Sequence, residues 1–304
     1  MDENRFDLHT HSCVSDGTAT PTEIVRIAAR GKIKLLALTD HDNIAGVREA
    51  LDAGKEYGVP VLPAVEMDND WRHELHIIGL DVDPDNPTLV RALEIARDRR
   101  ERRNKIIYAH LKEAGYDIQP LVGRPEAITT KLHIAHGLIK GGYASDVRDA
   151  FAKYLRPGTV GYYTEQRFTP QQVIDIIHIA DGLPILAHPC HIRDNPNALI
   201  GELTDMGLMG LEAYYPTSTQ RQTEMYVSIA WKYHLMVTCG SDFHGDNRPG
   251  VPIGCAWRSV PVLEQTFETL TRRMNTWKPS RRMPGLFFAQ VLQTERVSAI
   301  IHTL

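Results

Sequence analysis

At 304 residues, with 42% hydrophobic and 24% charged residues, the chain is long enough for a substantial core and has an ordinary soluble composition. Global disorder and a membrane-embedded body are excluded on that basis. The formal charge of -4 provides no overall basic footprint for nucleic acid.

The opening residues, MDENRFDLHTH, contain neither the charged nor the apolar region of a secretion signal, and no window approaches the roughly 18 apolar residues of a spanning helix. The cytoplasm is therefore the expected location. Residues 5–11 read as a first strand. Thr20-Pro21-Thr22-Glu23 then supplies an N-cap, a proline at the first helical position and a reciprocal glutamate, and Gly31 ends that helix. A second strand over 34–39, a helix over 44–57 closed by Gly58, a third strand over 59–66 and a fourth over 75–80 follow. This alternation predicts βα units and a parallel sheet.

Asn86-Pro87 starts a helix that runs to about Gly115. Its middle, RDRRERRNK, is too charged for a helix held between sheet and solvent, so the helix is expected to lead out of the barrel. The charged run reads as a solvated face, with RNA contact as the alternative. Helices over 131–140 and 145–155 precede the return of βα alternation near Thr169-Pro170. Strands over 183–188, 210–214 and 235–241 bring the number to seven.

The expected architecture is α/β, a distorted seven-stranded barrel with a helical insertion. Residues 1–98 form its first part, 99–165 the insertion, 166–260 the second part and 261–304 a C-terminal extension of weaker order. Cys13, Cys190, Cys239 and Cys255 form no CxxC pair and are read as reduced.

His9 and His11 lie two apart on a strand, so alternation points both side chains to one face. Alone this is a weak metal signal. The later strands each bring a further residue with a metal-ligand side chain: His41 after Asp40, Glu66, His76, His188, then Asp242 and His244, with Asp16 in the loop after the first strand. In β/α barrels the loops at the C-terminal strand ends build the active site, so residues distant in sequence converge there. Buried histidines and carboxylates need partners, and metal ions supply them.

These residues stand in HTHS with Asp16, TDHD, Glu66, LHIIG, AHP and GSDFH, an ordered set that resembles the four motifs of the PHP (polymerase and histidinol phosphatase) superfamily. The inserted KLHIAHGLIKGGY with AFAKYL resembles the helical insertion of its bacterial nucleoside 3',5'-bisphosphate phosphatase branch, whose relatives include RNA 5'-to-3' exonucleases. The resemblance implies a barrel of PHP type and a cluster of two or three divalent ions. One ion would be held by His9, His11, Glu66 and Asp242, a second by Glu66, His76 and His188, and a third by Asp16, His41 and His244. Asp40 is read as a partner that orients a ligating histidine.

Mixed imidazole and carboxylate ligands suit Mn, Fe or Zn better than Mg or Ca. The expected chemistry is attack on phosphorus by a metal-activated hydroxide, with His191 as the candidate proton donor to the leaving oxygen. Lys131 and His133 in the insertion are the candidates for holding a second substrate phosphate. Two departures from the family pattern bear on substrate rather than on ligands: AHPC where AHPG is common, and Lys131 where arginine is common.

The reading is thus a phosphomonoester hydrolase, foremost for the 3'-phosphate of nucleoside 3',5'-bisphosphates. The alternatives are a 5'-to-3' exonuclease on short RNA, a histidinol-phosphate phosphatase, and a non-catalytic metal- or nucleotide-binding module. The expected partner is a small phosphorylated substrate, in the first place a nucleotide, with short RNA second, no membrane and no obligate protein partner.

Overall fold

The computed structural model describes residues 3–72, 75–122 and 128–276. After the short β1 (Phe6–Asp7), the expected capping box starts α1 (Pro21–Arg30): Glu23 N–H donates to Thr20 Oγ1 at 3.2 Å and Thr20 N–H to the Glu23 carboxylate at 2.8 Å. β2 (Leu35–Leu38) is buried along its whole length, as a strand covered on both faces must be. α2 (Val47–Tyr57) closes at Gly58, whose φ of 70° is the left-handed helix ending that glycine accepts without strain. β3 (Val61–Asp68) and β4 (His76–Leu80) follow without a helix between them.

That last feature corrects the expectation of an all-parallel sheet. Seven strands form one sheet in chain order, but β4 pairs antiparallel with β3, and antiparallel with β5 (Leu183–Leu186) beyond it. The connection over 69–75 is too short for the crossover that a parallel pair requires, so the chain turns back as a hairpin. The reversal places the first residue of β4, His76, at the end where the other strands finish. His76 pairs directly with Asp68, and Glu66 lies two residues from Asp68 on the same face.

α3 (Pro87–Glu113) begins at Asn86, whose side chain accepts from Thr88 and Leu89 N–H. Its first half buries Leu89, Ala92 and Leu93 in the barrel core, while Ile107 and Leu111 belong to a separate apolar cluster. That second cluster is built with α4 (Lys131–Lys140), α5 (Val147–Ala150) and the π-helical turn Phe151–Leu155 that continues it. The expected boundary after residue 98 therefore falls inside one continuous helix.

The charged middle of α3 is also not a purely solvated face. Arg100, Arg103 and Asn104 are buried, because they share the inward side of the helix with Leu89, Leu93, Ile107 and Leu111, at spacings of three, four and seven residues.

α6 (Pro170–Ile179) leads into β5. α7 (Pro196–Asp205), β6 (Gly210–Tyr214), α8 (Gln220–Lys232) and β7 (Met236–Cys239) complete the alternation, with β5, β6 and β7 parallel. The sheet nearly closes at the mouth, where Leu8 N–H donates to Cys239 O (3.1 Å), Asp242 N–H to His9 O (2.8 Å) and His11 N–H to Phe243 O (2.9 Å).

The weak order expected beyond residue 260 is corrected over its first part by α9 (Pro261–Thr276), which buries Leu263, Thr266 and Leu270. The remainder of the expected extension, 277–304, lies outside the described residues. Among the described residues no helix is long and apolar enough to cross a membrane. Among the described residues Cys13, Cys190, Cys239 and Cys255 form no disulfide.

Candidate active site

β3 brings Glu66 to the mouth of the barrel, where the carboxylate is 1% exposed. Its Oε1 lies 2.9 Å from His188 Nε2, 3.1 Å from His76 Nδ1 and 3.4 Å from His9 Nε2; its Oε2 lies 3.0 Å from His41 Nδ1 and 3.4 Å from His11 Nε2. Burial pushes the Glu66 carboxyl up, but His41, His76 and His9 around it outweigh burial and hold it well below the usual range. Five imidazoles thus surround one ionised carboxylate.

Asp242 closes one side, with Oδ1 3.3 Å from His11 Nε2 and 3.6 Å from His9 Nε2. Asp16 closes the other, 3.2 Å from His244 Nε2 and 3.8 Å from His41 Nε2. All nine ligand positions expected from the sequence come together. Glu66 and His76 lie on the β3–β4 ladder and the other seven just past their strands: His188 and Asp242 follow β5 and β7 with φ of 27° and 55°, left-handed conformations that side chains other than glycine seldom adopt. In the GSDFH segment, a Cβ on Gly240 would stand 2.2 Å from His9 Cβ, so only glycine lets β7 pass this close.

Ligand atoms from His11, Asp16, His41 and His244, from His9, His11 and Glu66, and from His41, Glu66 and His76 form three groups able to hold a metal ion, with Glu66 common to two of them. His11 Nδ1, Asp16 Oδ1 and His41 Nδ1 are buried and make no hydrogen bond within the protein. Buried polar atoms that face one another at ion-pair distance without hydrogen-bond geometry fit a site completed by cations.

Around these groups lies a layer that the sequence reading largely missed. Glu212, the one charged residue of the strand GLEAY, holds His9 Nδ1 at 3.1 Å and accepts His188 N–H at 2.7 Å. Asp40, expected to orient a histidine, instead accepts from Ser12 N–H and from the Ser12 and Ser15 hydroxyls, fastening the turn that carries Asp16. Orientation of a ring falls to Glu212. An acidic residue in an otherwise apolar buried strand was the available signal.

Tyr215 donates its O–H to Asp242 Oδ2 at 2.7 Å, and Arg248 forms an ion pair with the same oxygen while its guanidinium lies 5.2 Å from the Tyr215 ring centre. Burial and the Asp242 charge push the Tyr215 phenol far up, so it stays a donor.

Asp68 forms the wall on the α3 side. Its Oδ1 lies 3.3 Å from His76 Nε2 and 3.6 Å from His41 Nδ1, and its Oδ2 lies 3.0 Å from Arg100. Burial raises the Asp68 carboxyl, but Arg100 and His76 prevail and keep it well below the usual range. Arg100 also pairs with Asp42. Next to it Arg103 hydrogen-bonds the neutral Asn104 side chain, and burial together with the Arg100 charge pushes its guanidinium down to about 9.

The three remaining candidates sit differently. His191 packs against His188 and Tyr215, with ring centres 5.2 and 5.1 Å away, beside the cluster and exposed. Lys131 and His133 stand outside the cluster in the first turn of α4: His133 Nδ1 accepts Thr130 N–H at 3.1 Å in the capping box, and Lys131 Nζ lies 5.5 Å from the Tyr162 ring centre. The chain before α4 is tied to the site loop by Ile128 N–H to Val14 O (3.2 Å) and to α3 by the Asn104 amide to Thr129 O (2.8 Å).

Comparison with known proteins finds relatives along most of the chain. The PHP domain profile matches residues 7–156. The 3',5'-nucleoside bisphosphate phosphatase of Chromobacterium violaceum is 34% identical over 278 residues, 88% of this chain and 97% of that protein. The 5'-3' exoribonuclease of Haemophilus influenzae is 34% identical over 250 residues, 79% of this chain and 90% of that one. A solved amidohydrolase structure from Chromobacterium violaceum, with bound sulfate and no metal, is similar with a TM-score of 0.79 at 33% identity, covering 87% of this chain and 96% of that chain.

Proposed function

The chain belongs to the PHP domain family and is a metal-dependent phosphoesterase, and on that premise we propose that it removes the 3'-phosphate from nucleoside 3',5'-bisphosphates. The observation that carries this reading is the ionised Glu66 carboxylate shared by His188, His76 and His41 within 3.1 Å. The similarity to a bisphosphate phosphatase over 97% of that relative supports the substrate class.

In this reading His9, His11, Glu66 and Asp242 hold one divalent ion, Glu66, His76 and His188 a second, and Asp16, His41 and His244 a third. The donor set favours Mn, Fe or Zn. Such ions, when bound, lower the pKa of water toward neutrality and draw charge from phosphoryl oxygens. Glu212 keeps His9 in one ring orientation, and Tyr215 with Arg248 holds Asp242 against rotation. His191, its Nε2 3.4 Å from Thr217 Oγ1, hands a proton to the leaving oxygen in this reading.

Residues 99–165 serve as the substrate cap, with support from their own apolar cluster. Lys131 and His133, on the α4 turn tied to the Asp16 loop, face the phosphate that is kept. Exonuclease action on short RNA is the second reading, favoured by the exoribonuclease relative. Burial of Arg100 and Arg103 removes two of the arginines that would have lined an RNA path on α3.

The deciding experiment is phosphate release by metal-loaded protein on a nucleoside 3',5'-bisphosphate, a mononucleotide, short 5'-phosphorylated RNA and histidinol phosphate. Fastest turnover of the bisphosphate is expected. Fastest turnover of histidinol phosphate, or release of mononucleotides from RNA at a higher rate, would overturn the assignment.

A further inference from the structure

Of the three residues assigned to the third ion, only His41 is fixed by strand pairing, through its parallel bridge to Glu66. Asp16 and His244 sit in loops and take part in no strand pairing among the described residues. The 3.2 Å between Asp16 Oδ1 and His244 Nε2 is therefore set by how these two loops meet.

They meet through the short turn Gly245–Asn247. His244 O accepts Thr18 N–H at 3.2 Å, and Thr18 Oγ1 accepts Asp246 N–H at 2.9 Å. Gly245 has a φ of 62°, and a Cβ on it would stand 2.1 Å from Thr18 Oγ1, so the loops can touch here only with glycine at that position. The half-buried Asn247 then donates its side-chain N–H to Asp16 O at 2.7 Å.

The Asp16 turn is thus held from two sides. Asp40 fastens its first half through Ser12 and Ser15, and the turn after His244 fastens its second half through Asn247 and Thr18. Arg248, the next residue along, pairs with Asp242. Consecutive side chains therefore hold the two aspartates that close opposite sides of the cluster. A bound ion accepts ligand distances within about 0.2 Å, so a loop displacement that the fold tolerates is one that the ion does not.

We propose that Asn247 is a positioning residue for the third ion: it latches the Asp16 loop onto the His244 loop, and its loss opens that one site while the two ions that share Glu66 stay bound. The inference rests on the three-ion part of the functional reading above and is independent of which phosphoester is the substrate.

The test is a Mn2+ titration of metal-free wild type, Asn247→Ala and Asp16→Asn, followed by calorimetry and by elemental analysis after gel filtration. Asp16→Asn identifies the equivalent that belongs to the third site, because a neutral amide is a poor ligand. In Asn247→Ala that same equivalent should bind about 10–100-fold more weakly, the usual effect of losing a partner that orients a ligand, and the other equivalents should keep their wild-type affinity. Equal weakening of every equivalent is what a residue that merely supports the fold would give, and it overturns the proposal, as does no change.

If Asn247→Ala does not fold, Thr18→Val removes the oxygen that accepts Asp246 N–H and should give the same selective loss. Its failure to do so overturns the latch. A wild type that takes up no more than two Mn2+ refutes the third ion and the latch together, whereas three in wild type with unchanged binding in Asn247→Ala refutes the latch alone.

Discussion

The Oε1 oxygen of Glu66 lies 2.9 Å from Nε2 of His188, a contact between β3 and the turn after β5 that spans 122 positions of sequence. Replacing Glu66 with glutamine should keep the shape of this junction and remove its charge. Loss of several kcal/mol of charge stabilisation corresponds to about 10³-fold in kcat/KM. Elemental analysis should show fewer bound ions in the same protein. Full metal content with near-normal activity would refute a shared carboxylate.

Glu212 touches His9 and His188 but lies behind them. Glu212→Gln should weaken metal affinity by about 10–100-fold, the usual effect of losing a partner that orients a ligating ring. A metal titration measures this, and added metal should restore much of the activity. If excess metal restores nothing, Glu212 acts in some way other than through His9.

Tyr215→Phe removes the O–H that donates to Asp242 while leaving the ring that packs on His188 and His191. Arg248 remains on the same carboxylate, so the expected loss is about 10-fold in kcat/KM with little change in Tm. Because the phenol is pushed far up, no titration of Tyr215 should appear in the pH profile below pH 10. A basic limb that disappears only in Tyr215→Phe would contradict this.

Arg100 is 7% exposed and pairs with both Asp42 and Asp68. Arg100→Leu takes the guanidinium from buried Asp42 and leaves Asp68 with His76, His41 and Arg167, the last at 3.9 Å, and breaking a buried pairing from one side costs about 3–5 kcal/mol. Denaturant unfolding should show that loss, and adding Asp68→Asn should recover part of it. Additive losses in the double variant would mean that the two residues do not interact.

The local motifs were legible in the sequence because they depend on spacing alone. HTH puts two imidazoles on one face, and Thr20-Pro21-Thr22-Glu23 starts a helix with a capping box. Only the tertiary structure decided the rest. β4 runs backward, so His76 enters the cluster from the start of its strand, and this depends on a link too short for a crossover rather than on any residue in LHIIG. Asp68, Glu212, Arg100 and Arg103 carry no motif. Their roles come from register and from the inward side of α3, where the need to neutralise or hydrogen-bond a buried charge selects the partner, and that need exists only once the chain has folded around it.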